Sequence, residues 1–119
     1  MSSTLNGRGP YEFTAKTADY TVTANDSGSG FTNTGAGGAI TFALPAATVG
    51  LNYRFYVNAA QELRIDPNGS ETISLPSSGV PQAAGAYLTA NAVGESVEIA
   101  CAVAGTWAVF GFTGTWTAV

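Results

Sequence analysis

Leu51-Asn52-Tyr53-Arg54-Phe55-Tyr56-Val57 decides the fold class. Leu51, Tyr53, Phe55 and Val57 alternate with Asn52, Arg54 and Tyr56. A period of two places one set of side chains on each face of a strand. The same pattern recurs on both sides. Ile40, Phe42 and Leu44 alternate with Thr41 and Ala43. Leu63 and Ile65 alternate with Glu62, Arg64 and Asp66, and Ile73 and Leu75 with Thr72 and Ser74. Val97, Ile99, Cys101 and Val103 alternate with Glu98, Ala100 and Ala102. One apolar face and one polar or small face is the signature of a half-buried antiparallel strand.

Turn-forming residues separate these runs: Asn25-Asp26-Ser27-Gly28, Thr34-Gly35-Ala36-Gly37-Gly38, Asp66-Pro67-Asn68-Gly69, Pro76-Ser77-Ser78-Gly79 and Val93-Gly94. In Asp66-Pro67-Asn68-Gly69, Pro presets φ and Asn-Gly accepts positive φ. This turn is expected to join strand 61–66 to strand 70–75 as a hairpin. No window keeps a helical period beyond about one turn. The pattern predicts an all-β fold, an antiparallel sandwich or barrel of about eight to nine short strands. An extended N-terminal arm over 1–17 precedes a single β domain over 18–119. The arm begins with the polar run from Met1 to Pro10 and ends in the alternating Tyr11-Glu12-Phe13-Thr14-Ala15.

The far end of the chain reads differently. Gly105-Thr106-Trp107 and Gly114-Thr115-Trp116 repeat one tripeptide around Ala108-Val109-Phe110-Gly111-Phe112-Thr113. A terminus this aromatic is expected to be docked, because undocked termini fray. Trp107 is expected in the core with Val109. Trp116, beyond Gly111 and Gly114, is expected nearer a sheet end or a subunit contact.

The 119 residues suit one domain. Charged residues make up 10% of the chain, against about 25% in an average soluble domain. The bases are Arg8, Lys16, Arg54 and Arg64 alone, and the net charge is -4. Nucleic-acid binding needs a basic stripe that displaces counterions from phosphate, so no nucleic-acid partner is expected. A membrane span needs about 20 apolar residues in a row. The longest apolar run, Ile99 to Ala104, has six, and no membrane partner is expected. The N-terminus shows no apolar secretory signal. A surface of Thr, Ser, Asn, Gly and Ala suits a protein packed against others.

The residues also exclude most chemistry. There is no His, so the commonest general base is missing. Cys101, the one cysteine, sits in an alternating stretch and reads as a small buried hydrophobe. No metal site and no cofactor is expected. Asp66, Asn68 and Glu71 lack the twelve-residue spacing of a calcium loop. Gly35-Ala36-Gly37-Gly38 lacks the Lys-Ser/Thr of a phosphate loop. Glu62, Arg64 and Asp66 share one strand face, and with Arg54 on a facing strand they would form an ion-pair ladder across a sheet or an interface. Trp107, Trp116, Tyr53, Tyr56 and Phe112 offer either packing surface or a sugar-stacking platform.

The run Phe31-Thr32-Asn33-Thr34-Gly35-Ala36, with Ile40-Thr41-Phe42-Ala43-Leu44-Pro45-Ala46-Ala47, Gly50-Leu51 and Phe55-Tyr56-Val57, is similar to a small β module of tailed-bacteriophage virion proteins. Ile65-Asp66-Pro67-Asn68-Gly69-Ser70-Glu71-Thr72-Ile73 and the two Gly-Thr-Trp tripeptides extend the likeness over about residues 18–117. The module occurs in head decoration (cement) proteins and at the tips of tail fibres and spikes. The resemblance implies a homotrimer and no catalytic motif. A chain of this length that starts at Met favours the stand-alone decoration protein. Its partner is then the major capsid protein, on the outer surface of the phage head. The alternative is a tail-fibre or spike domain that binds a host receptor or glycan. On the first reading, Leu5, Arg8, Tyr11 and Phe13 of the arm contact the capsid. Arg54, Tyr56, Arg64, Phe112 and Trp116 lie at the subunit interface.

Overall fold

A computed structural model describes residues 12–119. Among the described residues eleven strands form: β1 (Phe13–Ala15), β2 (Tyr20–Thr21), β3 (Gly30–Thr32), β4 (Ile40–Ala43), β5 (Asn52–Tyr56), β6 (Leu63–Asp66), β7 (Thr72–Ile73), β8 (Leu88–Ala90), β9 (Ser96–Val103), β10 (Thr106–Thr113) and β11 (Thr117–Ala118). One 3-10 turn, Ala24–Asp26, follows β2. The strands build two packed sheets. The first has the order β1-β3-β5-β9-β10-β7 and the second β11-β8-β6-β4-β2. The all-β sandwich that the alternation predicts is the fold observed.

The sheets are mixed rather than purely antiparallel. β1, β3 and β5 pair in parallel in the first sheet, and β2, β4 and β6 in the second. The cause is connectivity. From β1 to β6 the chain changes sheet at every step, running up one and down the other. Strands two apart in sequence therefore point the same way. Antiparallel pairing belongs to the later strands, β5–β9, β9–β10, β6–β8 and β8–β11. β7 returns to parallel pairing, on β10. Only the β9–β10 connection stays within one sheet.

That connectivity corrects the hairpin expected at Asp66-Pro67-Asn68-Gly69. The turn forms, with Gly69 at φ 57 and Glu71 N–H donating to the Asn68 carbonyl at 3.0 Å. It carries the chain from β6 in one sheet to β7 in the other. Pro67 is buried and continues the inward series Leu63, Ile65. A side chain committed to the interior at the turn pulls the chain around the end of the sandwich, not back along the same sheet. The true hairpin is β9–β10. Its reversal is at Ala104-Gly105, where Gly105 has φ 88, a left-handed conformation that glycine adopts without steric cost.

Between the sheets, Ile40, Phe42, Tyr53, Phe55, Leu63, Ile65, Ile73, Leu88, Val97, Ile99 and Trp107 are buried. Cys101 is buried with them, as expected of a small hydrophobe. Phe31, Phe42 and Phe55 form an aromatic group with centroids 5.2–5.8 Å apart. Tyr53 meets Trp107 at 5.7 Å and donates its hydroxyl to the Thr23 carbonyl at 2.8 Å. Burial raises the Tyr53 pKa far above that of a free phenol. Val103 breaks the inward series and is exposed, because it lies at the β9–β10 reversal, beyond the cover of the second sheet.

β1 also redraws the expected domain boundary. The carbonyl of Glu12 accepts from Gly30 N–H at 2.8 Å, and Lys16 N–H donates to the Thr32 carbonyl at 2.9 Å. Residues 12–16 are thus laced to β3 and belong to the β domain. Residues 1–11, with Leu5, Arg8 and Tyr11 of the arm, lie outside the described residues.

Candidate interaction surface

The outer face of the first sheet carries a concavity, and strand register explains it. Phe13 lies beside Gly30, Gly30 beside Arg54, Arg54 beside Glu98 and Glu98 beside Gly111. These five residues form one row across five strands. Arg54 Nη2 donates to Glu98 Oε2 at 3.0 Å, with about a third of each side chain exposed. Gly111 on one side of this pair leaves the sheet bare, and Gly30 on the other is covered by the Phe13 ring. The result is a trough of about 430 Å³, lined by Phe13, Thr32, Arg54, Tyr56, Ser96, Glu98 and Gly111, with Phe55 and Val97 beneath.

The Phe13 ring forms one wall and lies over Gly30. A Cβ on Gly30 would stand 2.2 Å from Phe13 Cε1, so glycine is required for the ring to rest there. Gly111 is different. A Cβ there would meet only Glu98 Oε1, at 3.8 Å, an ordinary contact. Glycine inside a strand signals a close approach. Gly111 is expected from the sequence at a turn before Trp116, but it lies inside β10, where it borders the trough.

The structure separates the predicted ion-pair ladder. Arg54 is on the outer face of the first sheet, whereas Arg64 is in β6 on the second. Arg64 Nη2 donates to Glu62 Oε1 at 3.0 Å, Thr89 Oγ1 donates to Glu62 Oε2 at 2.9 Å, and the guanidinium lies 5.2 Å from the Tyr87 ring centroid. The hydrogen bond from Arg64, helped by Thr89, holds the Glu62 carboxyl below its ordinary pKa. The alternating pattern assigns a residue to a face of its own strand but not to a sheet, so Arg54 and Arg64 looked adjacent and are not.

Of the two places expected for Trp116, a sheet end and a subunit contact, the chain itself provides the first, between the start of β9 and the end of β10. It is 5% exposed, and its Nε1 donates to the Ser96 carbonyl at 2.9 Å and to the Thr113 carbonyl at 3.3 Å. A ring buried and bonded within its own chain is core, not a subunit contact. Trp107, Trp116 and Tyr53 are all interior, which removes three of the five rings of a sugar platform. Tyr56 and Phe112 remain at the surface, 37% and 47% exposed.

Phe112 belongs to a second feature, an open edge. β7 pairs only with Thr106 and Trp107 of β10. Among the described residues, no strand covers that side of β10 from Ala108 to Thr113. Register shifts interrupt β10 between Thr106 and Ala108 and again between Val109 and Gly111. Phe110 falls in the second irregularity and is 63% exposed. From Ile99 to Val119 the sequence holds no charged residue. Exposed edges are ordinarily protected by Lys, Pro or inward charges, and this one lacks all three.

At the end of the sandwich Glu95 ties three segments together. Its Oε1 accepts from Asn91 N–H at 3.1 Å and Ala92 N–H at 2.9 Å, and Oε2 from Thr115 N–H at 2.8 Å. Burial opposes ionisation, but the three N–H donors outweigh it and hold the carboxyl below its ordinary pKa. Gly114, at φ 85, leaves the room this requires, since a Cβ there would stand 2.3 Å from Glu95 Cγ.

Neither comparison with family models nor comparison with curated proteins gives a match.

Proposed function

We propose that the chain is a capsid decoration (cement) protein of a tailed bacteriophage. As a homotrimer it binds the major capsid protein on the outer surface of the head and stabilises the shell. The carrying observation is the open, charge-free edge of β10 with Phe110 and Phe112 exposed. Phe13 is exposed at the opposite edge of the same sheet. Exposed apolar surface without charge is what a protein partner covers. The low overall charge supports the same reading, and the similarity of residues 18–117 to phage virion modules supplies the biological setting. The chain has no catalytic role in this reading.

The mechanism is mass action. A ligand that binds only the assembled shell stabilises it by RT ln(1 + [L]/Kd). Three arms on one trimer act at high effective concentration, so weak individual contacts suffice. Leu5, Arg8, Tyr11 and Phe13 make the capsid contact. Arg54, Tyr56, Arg64 and Phe112 remain candidates for subunit contacts. With Arg54 and Arg64 on opposite outer faces, a single interface takes one or the other.

A tail-fibre or spike domain that binds a receptor or glycan is the second reading. The trough favours it: 430 Å³ lies in the ordinary range of small-ligand sites, and Tyr56 and Phe13 offer ring faces. Electron microscopy of the native virion decides between the two. Density on the head facets supports cement, and density at the tail tip overturns it. Sedimentation equilibrium is expected to give about three times the 12.1 kDa chain mass.

A further inference from the structure

We propose that Asn68 is a site of spontaneous chemical modification, deamidation through a cyclic imide, and that the reaction releases the turn between β6 and β7. It needs no partner and is independent of the capsid reading. The backbone nitrogen of Gly69 attacks the side-chain carbonyl carbon of Asn68. The new C–N bond closes a ring, the bond to Nδ2 breaks, and ammonia leaves with the proton given up by Gly69. Water then opens the imide at either of its carbonyls. One product is aspartate. The other is isoaspartate, in which the main chain runs through Cγ.

Folding selects this asparagine. Six asparagines lie among the described residues, and the attack requires the N–H of the following residue to be free. After Asn25 that group donates to the Thr23 carbonyl at 3.0 Å, and after Asn33 to Thr32 Oγ1 at 3.3 Å. After Asn58 it donates to Asn33 Oδ1 at 2.9 Å, and after Asn91 to Glu95 Oε1 at 2.9 Å. Asn52 is followed by Tyr53, which is buried within β5. Asn68 is different. Among the described residues nothing accepts from Gly69 N–H, and nothing bonds the Asn68 side chain. Asn68 and Gly69 are both exposed, so water and hydroxide reach them. Glycine also puts no side chain in the path of ring closure.

The consequence follows from what the turn holds. Glu71 N–H donates to the Asn68 carbonyl at 3.0 Å. Glu71 in turn accepts from Ala47 N–H through Oε1 at 2.9 Å and from Gly85 N–H through its own carbonyl at 3.0 Å. One residue thus gathers the β4–β5, β6–β7 and β7–β8 connections. In isoaspartate the former Asn68 carbonyl leaves the main chain and becomes a free carboxylate. The main chain gains a carbon, and the bond that steadies Glu71 is lost. Either product also adds a negative charge between Asp66 and Glu71.

The test uses the full chain, kept warm at mildly alkaline pH, sampled over days and cleaved after glutamate. Cuts after Glu62, Glu71 and Glu95 isolate Asn68 in residues 63–71 and Asn91 in residues 72–95, both apart from Asn6-Gly7. Mass spectrometry is expected to show amide-to-acid conversion at Asn68 roughly tenfold or more faster than at Asn91, whose attacking N–H must first leave Glu95. In urea Asn91 is expected to speed up and Asn68 to keep its rate. No conversion at Asn68, or folding that slows it as much as it slows Asn91, overturns the proposal. In aged protein, hydrogen exchange at the Ala47 and Gly85 amides is expected to rise about tenfold over fresh protein, the equivalent of one lost hydrogen bond. Asn68→Gln closes no comparable ring and is expected to show no rise. Unchanged exchange in the converted chain, or an equal rise in Asn68→Gln, overturns the release of the turn. If that variant does not fold, aged against fresh protein decides alone.

Discussion

The strands up to β6 and those from β8 onward solve one problem by different means. In the early part, every connection crosses between sheets, and each strand pairs with one that lies about 22 residues away. In the later part, β9 and β10 are eight-residue strands joined by a two-residue turn. Crossing loops cannot rely on a ladder to hold them, and here polar side chains do so. Asn33, fully buried, is the clearest. Its Oδ1 accepts from Asn58 N–H at 2.8 Å and Ala59 N–H at 2.9 Å. Its Nδ2 donates to the carbonyls of Ala59 at 3.1 Å and Gln61 at 3.3 Å. One amide thus fixes the whole β5–β6 crossover. Asp19 receives Thr41 N–H at 2.9 Å, and Glu71 receives Ala47 N–H at 2.9 Å. In the later part the β9–β10 hairpin depends instead on a glycine turn, while the two connections that still cross between sheets, β8–β9 and β10–β11, are again tied by a polar side chain, Glu95. Connections that cross between sheets are held by polar side chains, buried at Asn33 and exposed at Asp19, whereas the hairpin needs only a residue that can turn.

The sharpest way to break this contrast is at the residue that joins the two parts. Trp107 in β10 packs on Tyr53 in β5. Trp107→Ala is expected to cost about 3–5 kcal/mol, a large share of a total stability of roughly 5–15 kcal/mol. Denaturant melts at several protein concentrations check it, and a midpoint shift that vanishes at high concentration would move the ring to an interface. Asn33→Ala comes next. It strands two N–H groups and two carbonyls, and an unsatisfied buried group costs about 1–3 kcal/mol. Partial access of water to the loop brings the expected total to about 3 kcal/mol. Hydrogen exchange should rise across residues 57–61 while β9 and β10 stay protected. If exchange rises equally in both parts, the clamp is not local.

The two Gly-Thr-Trp tripeptides allow a finer comparison. Both glycines have positive φ and both indoles are buried, so the repeat is a device for turning the chain and then returning it to the core. Gly105 has open space around it, whereas Gly114 faces Glu95. Gly105→Ala is expected to cost about 1–2 kcal/mol, the left-handed penalty alone. Gly114→Ala should cost more, since it also displaces Glu95 from Asn91, Ala92 and Thr115. Thermal melts of the two variants give the order directly. The smallest effect is pH-dependent. The Glu95 pKa is lowered in the folded chain, so its stabilisation is present above the unfolded carboxyl value and is lost as pH falls through the folded one. The melting difference between the native protein and Glu95→Gln should therefore be largest near neutral pH and close towards pH 3. A difference independent of pH would mean that shape, not charge, carries the contact.

Much of the core was legible. Ile40, Phe42, Tyr53, Phe55, Leu63, Ile65, Val97, Ile99 and Cys101 are inward where the alternation put them, because burial on one face leaves a period of two whatever a strand's neighbours are. For the same reason strand direction was illegible: the period is identical in parallel and antiparallel ladders. The polar outer faces of both sheets also imitated antiparallel design, which parallel sheets buried on both faces would not do. Asn33 was quoted for its resemblance and not for its chemistry, since nothing in a local window marks an Asn as buried. The trough is not legible in the sequence because its row of Phe13, Gly30, Arg54, Glu98 and Gly111 comes from five strands that only the sheet order brings side by side.

The sheet-changing connectivity sets a schedule for biosynthesis. Synthesis proceeds at roughly 5–20 residues per second, so the early strands emerge seconds before their last neighbours. β5 waits for β9, and β6 waits for β8, both in the final third of the chain. Until then the Phe31–Phe42–Phe55 group has lateral support on one side only. A ribosome that stops before Ser96 yields a product without the strand linking β5 to β10, and no product that ends before β10 can display the complete first sheet. Quality control is thus inherent in the order of the strands: only a chain that has reached β10 can present the complete outer face of the first sheet.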